Sequence, residues 1–395
     1  MRSLNATVSP LLLDAINQLV EKESLSHEQL ARAVAELSRL FTKARAELSR
    51  PYLEDPTSAA AYLNYFLPVN LSKVQVLLDE MPEDTFSKNQ RFSVLDLGSG
   101  PGTGGLAVLD WSNRRFKDMA DALSVVAVDT SPAALRCAER LWKSYCRAAG
   151  ITGARLQARE ADLERALGGL FRGQIQQAGP YDLIILANCL NELSESIDTR
   201  ASLVATALSL LSPHGTMMIV EPALRETSRA LHQVRDRLLQ EKCCTVYSPC
   251  LHEENCPALI NRNDWCHEER AWEPPVAIRQ IDEEVGFIKD ALKFSYLLLR
   301  KDGKTIVERR SNMYRVVSEL REFKGEKRAW LCNEQGRQEV GRQDRLTSPQ
   351  NAAFDRWHRG AIVQIEKIVR KENGGKVSAL GRIQRDAPVR IIRPV

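Results

Sequence analysis

The chain has 395 residues, 44% of them apolar and 27% charged, with a formal net charge of +4. At about 100–200 residues per domain this is enough for two or three domains with buried cores. The composition excludes collagen-like, disordered and disulfide-scaffold chains, and no run approaches the ~18 consecutive apolar residues of a membrane span.

Charge is unevenly placed. Residues 300–395 hold 23 Lys+Arg against 12 Asp+Glu, an excess of 11 that leaves −7 on the rest of the chain. A basic C-terminal quarter on an acidic body points to a polyanion, nucleic acid first; a solvated basic surface is the plainer alternative. The opening Met1-Arg2-Ser3-Leu4-Asn5-Ala6 lacks the basic-then-apolar pattern of a secretion signal and is poor in Arg for a transit peptide. A cytoplasmic, bacterial-type chain is expected, with the mitochondrial matrix as second choice and no membrane partner.

In chain order, residues 9–50 predict helices. Ser9-Pro10 supplies a cap and a first-turn proline before Leu11, Leu12, Leu13, Ile16 and Leu19. Ser26-His27-Glu28-Gln29 is a capping box that opens a second helix running to about Leu48, which makes His27 a first-turn surface residue. Ala59 to Met81 predicts further helix interrupted near Pro68, with Tyr62 and Tyr65 in the core. From Phe92 onward, apolar runs alternate with helical segments: Ser93–Leu97, Ser124–Val128, Arg155–Ala158, Tyr181–Leu186 and Thr216–Val220. That alternation predicts βαβ units and a parallel sheet buried on both faces. An arginine-bearing helix follows over 225–242. Beyond Cys266 the pattern turns β-rich, with strands at Phe294–Leu299, Ala361–Ile365 and Val389–Ile392. The predicted division is an N-terminal helical region (1–84), an α/β domain (85–242), a Cys-rich segment (243–299) and a basic β-rich domain (300–395).

The stretch Val94-Leu95-Asp96-Leu97-Gly98-Ser99-Gly100-Pro101-Gly102-Thr103-Gly104 carries the most information. A buried strand enters a glycine turn and then a helix, and the missing Cβ atoms allow close approach of a ligand. A glycine fingerprint alone is weak, but Asp129, Asp162 and Asn188 close the second, third and fourth strands, at the sheet edge where open α/β folds bind ligands. The set resembles the class I S-adenosylmethionine-dependent methyltransferases, a Rossmann-like α/β fold. The resemblance implies that Asp96, Gly98, Gly100 and Gly102 border the methionine and ribose, Asp129 the ribose diol and Asp162 the adenine, with Asn188 a further cofactor-binding residue at the sheet's carboxyl edge. A dinucleotide dehydrogenase is the competitor, but its spacing is G-x-G-x-x-G and this turn is G-x-G-x-G. The acceptor-facing segment Ala187–Leu193 matches neither the Asn-Pro-Pro-aromatic loop of amino-group methyltransferases nor the Pro-Cys context of enzymes that attack cytosine. Cys189 is therefore expected to pack, and no catalytic residue is assigned.

Nine cysteines in a chain without an export signal point to metal or catalysis before disulfides. Cys250, Cys256 and Cys266 are spaced C-x5-C and C-x9-C, without the short knuckle of common zinc sites. Wide loops can wrap a cubane cluster, which needs four thiolates. Cys332 is the first choice for the fourth, with Cys243 and Cys244 as alternatives, and His252 or His267 could complete a zinc site instead.

Pro249-Cys250 to Cys256-Pro257, Asp264-Trp265-Cys266-His267 and a late Cys332 before a basic β-rich end, all behind a methyltransferase-type domain, resemble the small-ribosomal-subunit methyltransferase-like family. That family comprises mitoribosomal small-subunit assembly proteins and bacterial relatives. The resemblance covers most of residues 55–395. It implies a [4Fe–4S] cluster on Cys250, Cys256, Cys266 and Cys332, binding to small-subunit ribosomal RNA and the small ribosomal subunit, and a role in assembly with or without rRNA methylation. The alternative is a catalytically inactive RNA-binding assembly protein with a structural zinc or iron–sulfur site. Arg309, Arg310, Arg315, Lys327 and Arg328 are the expected phosphate contacts.

Overall fold

The computed structural model describes residues 8–20, 25–47, 52–86, 91–166, 179–194, 196–287, 290–373 and 375–394. The opening hexapeptide and Leu48 lie outside them. The chain forms two compact units, one made of the residues up to Leu224 with Ala271–Leu292, the other of Arg225–Arg270 with the residues from Lys293 on. Among the described residues no helix is long and apolar enough to cross a membrane.

The first unit opens with helices. Pro10–Val20 starts where the Ser9 hydroxyl accepts from the Leu12 amide at 3.2 Å. His27–Thr42 starts at a complete Ser26–Gln29 capping box, with His27 exposed. This second helix stops at Thr42, short of the predicted end. Pro56–Ala61 and Leu67–Leu78 are joined through a π-helical stretch, Tyr62–Phe66, that buries Tyr62 and Tyr65. The expected interruption is thus this wide turn and not Pro68. Pro68 sits in the first turn of Leu67–Leu78, where a missing N–H costs nothing.

Five parallel strands follow: β1 (Phe92–Leu97), β2 (Leu123–Asp129), β3 (Arg155–Glu160), β4 (Tyr181–Ala187) and β5 (Leu211–Pro222). Their order is β3-β2-β1-β4-β5. The helices Thr103–Arg115 and Pro132–Ala149 pack on them as crossovers, so β1 and β4 are apolar almost throughout, as doubly covered strands must be. This is the expected α/β, class I S-adenosylmethionine-dependent methyltransferase fold. The order reverses at β1, so the carboxyl ends of β1 and β4 form the crevice where such sheets bind ligands.

The second unit contains the helix Arg225–Gln240, then β6 (Thr245–Ser248), β7 (Glu268–Ala271) and β8 (Ala291–Arg300), with β6 and β7 both paired to β8. A second sheet is built from β9 (Met313–Val316), β10 (Arg321–Phe323), β11 (Glu326–Asn333), β12 (Gly336–Gln343), β13 (Ile362–Ile365), β14 (Ile368–Asn373), β15 (Lys376–Ile383) and β16 (Val389–Arg393), in the order β14-β15-β12-β11-β9-β13-β16 with β10 beside β11. Its core gathers Val316, Leu331, Val340, Phe354, Trp357, Val363 and Ile383. The two strands predicted in this region are present as β13 and β16; the other six are additional.

Candidate functional site

The glycine turn after β1 is held from three sides. Gly98, Gly100 and Gly102 have φ of +66°, +52° and +90°, a region other residues enter only at a cost. The Gly100 amide donates to Asp129 Oδ2 at 2.8 Å, and the second Asp129 oxygen accepts from the Ser131 amide at 2.9 Å. Asp96 Oδ2 accepts from the Gly105 amide at 2.8 Å, inside the first turn of Thr103–Arg115. A Cβ on Gly104 would come within 2.5 Å of the Asp96 carboxylate, whereas a Cβ on Gly100 would meet nothing within 4 Å. The turn therefore rests on carboxylates beneath and is open at Gly100.

The ends of β4 and β5 complete this edge. Asn188 has φ +59°, a strained setting for a residue with a side chain, and its amide donates to the Val220 carbonyl at 2.7 Å. Cys189 packs under the turn, as expected: its thiol donates to the Leu97 carbonyl at 3.1 Å, and a Cβ on Gly98 would collide with it at 2.4 Å. Burial, reinforced by the carboxylate of Glu221, holds this thiol well above its ordinary pKa, which disfavours the thiolate. Asp162 is exposed and its carboxylate accepts from the Glu164 amide at 2.9 Å, capping the turn that follows β3.

Glu221, the penultimate residue of β5, is not among the residues predicted for the site. It is 1% exposed, and neither of its oxygens makes a well-formed hydrogen bond. Asp96 Oδ1, Ser99 Oγ and Asn188 Oδ1 are likewise buried without a partner. Burial pushes the carboxyls of Asp96 and Glu221 up to about 7 each, and raises Asp129 as well. Lys73, on the helix Leu67–Leu78, is lowered by burial to about 8, with its ammonium 3.1 Å from Asn70 Oδ1. A polar residue directly after an apolar strand run was the signal available for Glu221, the same signal that marks Asp129 and Asn188.

In the second unit the cysteine loop is laid against the helix Arg225–Gln240 by its backbone. Arg229 donates to the carbonyls of Ala258, Leu259, Asn261 and Asp264 at 2.7–3.1 Å. Arg235, fully buried, donates to the carbonyls of His252 and Glu254 at 2.6 and 2.8 Å. Asp236 accepts from the Cys256 amide at 2.8 Å, and the Ser295 hydroxyl donates to the Cys266 carbonyl at 2.8 Å. Cys250, Cys266 and Cys332 line one open cavity, together with His232, His267 and Tyr296. Cys256 is close enough to Cys250 and Cys332 to raise their thiol pKa values, after burial. His252 Nε2 lies 3.7 Å from the Cys332 sulfur. Cys243 and Cys244 do not line the cavity. Among the described residues no three His, Cys, Asp or Glu side chains already stand as a ready metal site.

The expected phosphate contacts are engaged elsewhere. Arg315 is buried, pairs with Glu268 and donates to the Tyr296 hydroxyl at 2.9 Å. Arg309 pairs with Glu253, Arg310 with Glu308, Lys327 with Glu322 and Arg328 with Glu326. Part of the basic excess is thus internal, since Arg300 and Arg342 are buried too. Lys324, Arg345, Arg356, Lys367, Lys371, Arg385 and Arg390 are among the exposed cations of the last quarter that form no ion pair among the described residues.

The family of the mitochondrial small ribosomal subunit protein Rsm22 matches residues 56–346. Among solved structures, an O-methyltransferase family protein from Burkholderia thailandensis is 14% identical, with a TM-score of 0.33 over 67% of this chain and 64% of that one. A TehB-like S-adenosylmethionine-dependent methyltransferase from Corynebacterium glutamicum is 14% identical, with a TM-score of 0.31 over 69% and 98%. NSun6 from Pyrococcus horikoshii is 11% identical, with a TM-score of 0.34 over 60% and 52%. The chain spans less than two thirds of the first and third of these. Among curated proteins, none matches the chain.

Proposed function

This chain belongs to the family of the mitochondrial small ribosomal subunit protein Rsm22, and from that premise we propose that it is an S-adenosylmethionine-binding, iron–sulfur-containing assembly factor of the small ribosomal subunit. It would act where such subunits are built, in a bacterial-type cytoplasm or the mitochondrial matrix.

The observation that carries the cofactor assignment is the character of the unpartnered atoms at the sheet edge. Asp96 Oδ1, Asn188 Oδ1 and both Glu221 oxygens are acceptors, and Ser99 Oγ can accept. An edge where buried carboxylate oxygens outnumber the donors near them, Lys73 and Asn191, is suited to a cationic ligand, and poorly suited to the pyrophosphate of a nicotinamide dinucleotide. S-adenosylmethionine carries an ammonium and a sulfonium, and when bound it supplies an already activated methyl group. Asp129, which orders the turn through Gly100, would take the ribose, and the open face at Gly100 leaves room for the ligand backbone. Asp162, exposed beyond β3, is placed for the adenine only if its cap to Glu164 loosens.

For the second unit, a [4Fe–4S] cluster on Cys250, Cys256, Cys266 and Cys332 is supported by the convergence of Cys250, Cys266 and Cys332, up to 82 positions apart, on one cavity, with Cys256 close enough to act on the Cys332 thiol. Neutral His252 beside the Cys332 sulfur supports zinc as the alternative, since burial lowers its pKa to about 4 and leaves the imidazole free to ligate. Small-subunit ribosomal RNA would meet Lys367, Lys371, Arg385 and Arg390 on the second sheet. Sedimentation with small subunits tests the assignment: association should weaken steeply between about 50 and 200 mM salt. Salt-independent or absent association would remove the ribosomal reading, and methylation of a free small molecule without RNA would replace it.

A further inference from the structure

The family and the fold leave Glu221 without a task, although it is a deeply buried carboxyl. It is 1% exposed, both oxygens lack well-formed partners, and the nearest cationic neighbour on the adjoining helix, Lys73, is bonded to Asn70 and makes no ion pair with it. Asn191 and Arg200 offset part of the cost of burying this carboxylate, and a ligand that brings positive charge would offset the rest.

Its position in the sheet says which end of a ligand it meets. The pairing of Ala187 with Val220 sets Asn188 beside Glu221, and the pairing of Leu97 with Leu186 sets the glycine turn one strand further on. At a strand spacing of about 4.8 Å, Glu221 stands roughly 10 Å from the glycine turn and roughly 14 Å from the Asp129 strand. A nucleoside held at Asp129 therefore has its far, reactive end on the side of Glu221.

Resting on the cofactor reading above, we infer that Glu221 is a cation receptor at the reactive end of this pocket, which makes the pocket bind the sulfonium methyl donor more tightly than its neutral thioether product. The domain would then report whether the donor it holds still carries its methyl group, a property useful to an assembly factor whether or not it transfers that group.

The charged and titratable groups that face Glu221 are Lys73 from the helix Leu67–Leu78, Glu192 from the turn after β4, Arg200 from the helix Ile197–Leu208 and Cys189 beneath the turn, with the Asn191 amide nearby. Of these, Glu192 opposes ionisation of Glu221 and Arg200 favours it. Because burial leaves Glu221 partly protonated near pH 7, a cation that binds its ionised form must release a proton, and its affinity must rise between pH 6 and 8.

Calorimetric titration of the full chain with S-adenosylmethionine and with S-adenosylhomocysteine tests this in wild type, E221Q and E221D. An opposite charge at close range in a partly shielded site is worth about tenfold or more in affinity, so wild type should prefer the sulfonium by that factor. E221Q, isosteric and uncharged, should bring the ratio to about one and abolish proton release; E221D should restore part of both. A wild-type ratio near one, or an E221Q ratio unchanged from wild type, overturns the role of Glu221 while leaving the cofactor site in place. Failure of wild type to bind either compound overturns the cofactor reading itself and this inference with it.

Discussion

The Gly100 amide donates to Asp129 Oδ2 at 2.8 Å, which makes the end of β2 and the glycine turn after β1 a single rigid piece. The second oxygen of the same carboxylate is committed to the Ser131 amide, where the helix Pro132–Ala149 begins. One side chain therefore fixes the turn, starts a helix and, in the proposed complex, meets the ribose.

Replacing Asp129 with alanine should remove all three functions. Two buried amides lose their acceptor, at about 1–3 kcal/mol of stability, and S-adenosylmethionine binding should fall below detection in calorimetry. Asp129→Asn keeps one acceptor and should retain most of the stability while still losing affinity. Equal affinities for Asp129→Asn and wild type would show that the carboxylate serves the fold alone.

The cysteine cavity predicts a metal content. Protein purified without oxygen should carry about four irons per chain and a broad visible absorbance, as four thiolates around a cubane require. Cys332→Ser should lose both while the first unit keeps its S-adenosylmethionine affinity, because Cys332 lies on β11 of the other unit. One zinc per chain, lost in His252→Ala and retained in Cys256→Ser, would identify the site as His252 with three thiolates.

The arginines of the last quarter should separate into two classes on mutation. Arg315 is 4% exposed and pairs with Glu268, which is 3% exposed and also pairs with Arg270, so Arg315→Ala removes one of two charged partners of a buried carboxylate and should cost roughly 1–3 kcal/mol in denaturant unfolding. Arg390 is exposed on β16 with no ion pair among the described residues; Arg390→Ala should leave the unfolding midpoint unchanged and weaken RNA binding, lowering the salt slope by about one. Loss of RNA binding in Arg315→Ala at full stability would contradict this division.

These contrasts mark what was legible in the residues alone. Four of the five parallel strands, β1, β2, β4 and β5, carry apolar runs closed by polar residues, readable because burial on both faces restricts their composition, whereas β3, Arg-Leu-Gln-Ala-Arg-Glu, is an edge strand with no buried side chain and was readable only from its place in the alternation. The thiols were readable because their spacing is rare. β12, Gly-Arg-Gln-Glu-Val-Gly-Arg-Gln, was not: it buries one large apolar side chain, Val340, and exists because β11 and β15 supply its hydrogen bonds. Arg315 was misplaced at the surface because its partner Glu268 is 47 residues upstream, and charges that cancel across that distance leave no trace in local composition. Glu221 closes an apolar run as Asp129 does, yet no local pattern tells a buried orphan carboxylate from one that meets water.

Glu221 and Asp96 together set the pH response of the ligand-free protein. Both carboxyls are raised in the fold, by burial, to about 7, from ordinary values of 4.5 and 3.8. Between the ordinary and the raised value the folded chain holds protons that the unfolded chain has released, so stability falls as pH rises through that window. Each group contributes a slope of about 1.4 kcal/mol per pH unit there, and the slope vanishes above the raised value. Thermal unfolding of the first unit should therefore move to lower temperature from pH 5 to pH 7.5, and E221Q should flatten the curve by about half. Saturating S-adenosylmethionine should flatten it further, because a bound cation lets Glu221 ionise without the desolvation cost. A stability curve that climbs with pH over this range would mean that water or a neighbouring donor satisfies both carboxylates in solution, and the acceptor-rich edge on which the cofactor assignment rests would not exist.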